Sequence, residues 1–108
     1  MVDLPERIER LLPNERLADF AHRWKVTELA LFGSVLRDDF NSDSDIDVLI
    51  TFDPIATWSL WDLTLMQDEL ATISGRTIDL VEKEGLRNPF RREYILGGST
   101  VVWPRPTR

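Results

Sequence analysis

The stretch LFGSVLRDDFNSDSDIDVLITF, Leu31 to Phe52, decides how this chain is read. It sets a Gly-Ser pair at 33–34, then ten residues, then Asp-Ile-Asp at 45–47. Residues 45–52 alternate, which predicts a strand with Ile46, Val48, Ile50 and Phe52 on one face and Asp45 and Asp47 on the other. Side chains two apart on a strand point the same way, roughly 7 Å apart at Cα, so the two carboxylates aim at one point. Burying two unpaired carboxylates side by side is costly. Either the charges reach solvent, or a cation sits between them.

Outward from this stretch the pattern predicts an α/β fold, a small mixed β-sheet with flanking helices. Pro5 suits the first turn of a short helix over 5–12, and Asn14 is placed to cap a second helix carrying Leu17, Phe20, Ala21 and Trp24. ELALF (28–32) reads as a buried strand ending at Gly33. Ser34 to Arg37 opens a helical turn, and 38–44 is a polar loop. A helix is expected over 57–74, between Pro54 and Gly75. It has two apolar stripes, one of Leu63, Met66, Leu70 and Ile73, the other of Trp58, Trp61 and Leu65, wide for a single buried face. TIDLV (77–81) is a third strand with Asp79 opposite Ile78 and Leu80. A helix over 88–96 stops at Gly97-Gly98, and TVVW (100–103) is a last short strand. Residues 1–108 form one domain, with a core over about 15–103 and a frayed tail from Pro104 to Arg108.

Composition narrows the chemistry. The 108 residues are 43% hydrophobic and 30% charged, with net charge −6, as expected of one globular domain. An acidic domain is a poor nucleic-acid binder, because phosphate neutralisation dominates that affinity. There is no cysteine and one histidine, His22, so disulfides, thiolate-bound zinc and multi-histidine metal sites are all excluded. The cysteine count fits a reducing cytoplasm. MVDLPERIER has no apolar leader, and no apolar run approaches membrane-spanning length.

If the strands of Asp47 and Asp79 are neighbours, Asp45, Asp47 and Asp79 converge on one edge of the sheet. Three hard oxygen ligands suit Mg²⁺ or Mn²⁺ and not Zn²⁺. Two such ions roughly 3.5–4 Å apart clamp the attacking and leaving oxygens of an in-line displacement. Gly33 permits close backbone approach, and the turn opened by Ser34 offers free N–H groups to an anion. Arg37, one turn on, is placed for a charge-assisted bond to phosphate.

These residues resemble the DNA polymerase β-like nucleotidyltransferase superfamily, whose signature G-S-x10-D-x-D stands here at 33–34 and 45–47. The surrounding LFGS…R…SDIDVLI and the later GRTIDLV look like its minimal branch, the MNT domains, over roughly residues 15–103. The resemblance implies that Asp45, Asp47 and Asp79 are catalytic and hold two divalent metals, with Asp79 the base for the acceptor hydroxyl. It implies that Gly33 and Ser34 bind the phosphates of an NTP, ATP above all. It also implies the antitoxin of a HEPN/MNT pair, which silences its HEPN ribonuclease toxin by transferring AMP to a tyrosine. Asp38 departs from the pattern, since glycine commonly follows the arginine, and Asp39 adds further charge.

Blander readings stand beside these. DDFNSDSD alone is a solvated loop. A calcium loop starting at Asp43 fails, because Val48 and Pro54 stand where glycine and glutamate are needed. Arg37 is otherwise an ion-pair partner for Asp38 or Asp43. Arg87, Arg91 and Arg92 are more simply a solvated helix face than nucleotide contacts. His22 reads as a partly exposed helix residue. The second stripe of the 57–74 helix, with Trp58 and Trp61, leaves room for a protein partner. The alternative function is a non-catalytic module that masks its partner by contact. A general polymerase is unexpected, since no acceptor-gripping domain is evident.

Overall fold

The computed structural model describes residues 3–105. In chain order these form α1 (Leu4–Leu11), α2 (Asn14–Trp24), β1 (Val26–Phe32), a 3₁₀ turn (Gly33–Leu36) and β2 (Ile46–Phe52). There follow α3 (Leu60–Ser74), β3 (Ile78–Glu82), a second 3₁₀ turn (Lys83–Gly85), α4 (Pro89–Gly97) and β4 (Thr100–Trp103). The four strands make one mixed sheet in the order β3-β2-β1-β4, antiparallel except for the parallel pair β2–β3. The α/β expectation holds.

The helix ends show which local signals act. Asp3 caps α1 by accepting from the Glu6 N–H at 3.4 Å, and Pro5 lies in its first turn. Asn14 does not cap α2: the boundary residue is Pro13, whose carbonyl accepts from Arg16 and Leu17, and Asn14 is already helical. Proline's fixed φ sets the entry into the helix, so no side-chain cap is required. α3 starts at Leu60 and not near 57, because Ser59 and Asp62 form a reciprocal capping box. Trp58 is thereby left outside the helix. It packs edge-on against Trp24 at 5.1 Å and donates its Nε1–H to the Trp24 carbonyl at 3.0 Å. Of the expected second stripe of α3, Trp61 and Leu65 remain exposed, as does Leu60.

Both faces of the sheet are covered. One face places Leu29, Leu31, Ile46, Val48, Ile50, Ile78 and Val102 against Leu17 and Phe20 of α2 and Met66 and Leu70 of α3. Full burial of such a side chain contributes roughly 1.5–3 kcal/mol. On the other face Ala30 and Leu49 pack under Leu86 and Ile95, so β2 is not half-solvated along its length. At its acidic end Asp47 is half-buried, while Asp45 and the facing Asp79 are exposed.

Arg105, expected in a frayed tail, is held instead. It donates to the carbonyls of Val102 at 3.1 Å and Leu12 at 2.6 Å and pairs with Glu9. Residues 106–108 of that expectation lie outside the described residues. No helix among the described residues is long and apolar enough to cross a membrane.

Candidate active site

The parallel register of β2 and β3 sets Asp47 directly opposite Asp79. On the other side of β2, Phe32 is the partner of Asp47, so the chain turns at Gly33 immediately beside that carboxylate. Gly33 has φ +76°, and a Cβ added there would overlap Asp47 Oδ2 and lie 3.2 Å from its Cγ. Glycine is therefore required twice over, by the left-handed backbone and by the carboxylate in the side chain's place.

Burial, the first cause, raises the Asp47 pKa above its ordinary value. The charge of Asp79 and a hydrogen bond shared with it act in the same direction, and Asp45 adds to the effect, while Arg37 opposes it. Asp47 and Asp79 are thus a converged acid pair. Asp45 is exposed and precedes the first residue of β2, and its carbonyl accepts weakly from Ser34 Oγ at 3.5 Å. Its charge reaches Asp47, but no three His, Cys, Asp or Glu side chains among the described residues form a group ready to hold a metal ion. Asp47 and Asp79 are partners across the ladder, and Asp45 adds its charge to them from the residue before β2.

The donor set nonetheless suits a hard divalent cation: carboxylate oxygens only, with no nitrogen or sulfur ligand, and a glycine that leaves Asp47 Oδ2 uncrowded. Asp45, Asp47 and Asp79 would be its ligands.

The other expected residues fall around this pair. Ser34 lies in the 3₁₀ turn Gly33–Leu36, whose second residue it is. Arg37 ends that turn and pairs with Asp39 at 3.2 Å, not with Asp38 or Asp43, its side chain largely in solvent. Arg92, in the basic group 87–92, donates to the Lys83 and Leu86 carbonyls and so braces the turn after β3, while Arg87 and Arg91 are exposed.

Sequence reasoning passes over four residues near the site. Arg7, Phe40 and Arg76 pin the loop between the Gly-Ser turn and Asp45. Tyr94 is 79% exposed and lines a groove of about 190 Å³ together with Gly33 and Arg37. No periodicity signals any of them. The only available hint is that α1 carries two arginines, Arg7 and Arg10, on an amphipathic helix, and nothing in the spacing says that Arg7 is the buried one. A larger groove, about 370 Å³, lies between α3 and β3 on the face opposite Asp79.

Residues 14–102 match the family profile described as the nucleotidyltransferase domain. The chain belongs to this family. As a nucleotidyltransferase domain it is 32% identical over 90 residues to protein adenylyltransferase MntA of Thermococcus cleftensis, an alignment covering 83% of this chain and 88% of that one. Its fold is similar to a solved structure provisionally described as a minimal nucleotidyltransferase, with TM-score 0.70 and 29% identity over 94% of this chain and 97% of that chain. The same fold recurs at 16% identity and TM-score 0.61 in a complex of a tri-AMPylated Shewanella oneidensis HEPN toxin with an MNT antitoxin. There the match covers 94% of this nucleotidyltransferase and 72% of that chain.

Proposed function

We propose that this nucleotidyltransferase moves AMP from ATP to a tyrosine hydroxyl of a cognate HEPN ribonuclease toxin, and so acts as its antitoxin in the cytoplasm. The observation that carries the reading is the acid pair: Asp47 set opposite Asp79 by a parallel ladder, with Gly33 giving up its side-chain space to Asp47. The identity to protein adenylyltransferase MntA supports a protein acceptor.

In this reading Asp45, Asp47 and Asp79 would hold one or two Mg²⁺ ions, or Mn²⁺ in their place, which when bound would neutralise triphosphate charge. The chain's own residues do the rest. The Gly33-Ser34 turn presents N–H groups and a hydroxyl to the β and γ phosphates, and Arg37 leaves Asp39 to pair with phosphate. Asp79, solvent-facing at the sheet rim, accepts the proton of the acceptor hydroxyl. The acceptor oxygen bonds to the α-phosphorus as the bond to the β-phosphate oxygen breaks, and pyrophosphate leaves. The product is a phosphodiester whose negative charge repels RNA from the toxin's cleft.

The test is intact-mass spectrometry of the toxin after incubation with this chain, ATP and Mg²⁺. AMP additions are expected, and Asp45→Asn/Asp47→Asn should abolish them. A toxin that gains no mass, yet is still inhibited by the double variant, would show that contact masking is the mechanism.

A further inference from the structure

Arg7 is the buried charged side chain among the described residues, 9% exposed, and it spends its charge on the backbone. Its Nη1 donates to the Val35 carbonyl at 2.7 Å and to the Arg37 carbonyl at 2.8 Å. Both acceptors lie at the end of the turn that carries Gly33 and Ser34. Arg76, from the other end of the site, donates from its own Nη1 to the carbonyls of Asn41 at 2.7 Å and Ser44 at 3.1 Å. Ser44 immediately precedes Asp45, and Asn41 lies four residues before it. Between the two arginines lies Phe40, with the Arg7 guanidinium 5.1 Å and the Arg76 guanidinium 4.5 Å from its ring centroid.

We propose that Arg7, Phe40 and Arg76 are positioning residues: a clamp that fixes the Gly33–Asp45 loop so that the phosphate turn and the acids keep one spacing. The proposal rests on the nucleotidyltransferase reading of the site. The physical case is that a loop rich in aspartate repels itself and has little apolar surface to hold it. Charge-assisted bonds to carbonyls are roughly twice as strong as neutral ones, and a cation over an aromatic face adds to them. Each guanidinium holds one end of the loop, and the shared ring couples them. α1, which supplies Arg7, precedes the residues matched by the family profile, so this support comes from outside the matched segment.

The clamp touches no reacting atom, so its signature is nucleotide affinity in a folded protein. Titration calorimetry of the full chain with MgATP separates affinity from the fraction of competent molecules. Arg7→Met should weaken MgATP binding about tenfold, in line with the cost of small misplacements at a site. Arg7→Lys keeps the charge but loses the planar guanidinium that bonds two carbonyls and faces Phe40, so its loss should fall between, at about threefold. Phe40→Leu changes no charge and should weaken binding about threefold, so any loss there reflects geometry and not electrostatic attraction to triphosphate. Phe40→Leu also serves if Arg7→Met does not fold. Unchanged affinity in the folded variants, or a loss of stoichiometry alone, overturns the clamp. A wild-type chain that binds no MgATP overturns the nucleotide-transfer reading and the clamp's role with it.

Discussion

The Asp47 carboxylate occupies the space that a side chain on residue 33 would need, and the backbone there is already left-handed. Gly33→Ala therefore meets two penalties. It should lower stability by about 2 kcal/mol, from the left-handed backbone and the displaced carboxylate together. It should also lower nucleotide affinity, because Asp47 must move. Thermal melts with and without MgATP check both. A variant with the parent's melting temperature and the parent's nucleotide-dependent rise would contradict this packing.

Asp47 carries a raised pKa, so the folded state binds its proton more tightly than the unfolded state does. The sign follows: stability of the metal-free protein falls as pH rises above the unfolded value near 3.8 and through the folded value. Asp47→Asn removes this penalty. At neutral pH the metal-free variant should melt higher than the parent, with the difference vanishing below the unfolded pKa. Mg²⁺ with ATP should raise the parent's melting temperature, and Asp45→Asn/Asp47→Asn should lose that rise.

Glu69 behaves in the opposite sense. Its pKa is lowered, first by its hydrogen bond from Arg23, with a further bond from Trp24 Nε1 at 3.1 Å, while burial opposes the shift. This contribution is full above the unfolded value of 4.5 and is lost as pH falls through the folded value. Glu69→Gln should cost about 1 kcal/mol at neutral pH, the Arg23 side being half in solvent, and should flatten the acid limb of a stability–pH curve. Denaturant midpoints between pH 3 and 7 measure it.

Among the described residues the Ser34 hydroxyl makes only a weak bond, to the Asp45 carbonyl at 3.5 Å. Removing its hydroxyl should leave stability nearly unchanged. Ser34→Ala should raise the apparent KM for ATP about fivefold and leave that for the acceptor nearly unchanged, as expected of a lost phosphate contact. Equal effects on both substrates would count against the phosphate assignment.

Much of this architecture can be read from spacing. The alternation over 46–52 places Asp47 opposite the Ile46, Val48 and Ile50 face, and the structure agrees. The strands and helices fall within a few residues of their expected limits, and the Gly-Ser turn follows β1. Boundaries slip where a side chain competes locally. Ser59 starts α3 later than Pro54 suggests, and Pro13 displaces Asn14 as the boundary of α2. Leu49 is the instructive miss on β2. It shares the acidic face yet is buried, because α4, forty residues on, covers that side of the sheet.

Periodicity is local, so the chain alone is enough to put Asp47 on the face of β2 opposite Ile46, Val48 and Ile50. Pairing between distant segments is not local. That β3 lies parallel to β2 with Asp79 opposite Asp47, and that Arg7 reaches 28 and 30 residues along the chain to Val35 and Arg37, are tertiary outcomes. They are set by how three helices and a fourth bury the two faces of one sheet, because register and neighbour choice follow from the packing of both faces at once.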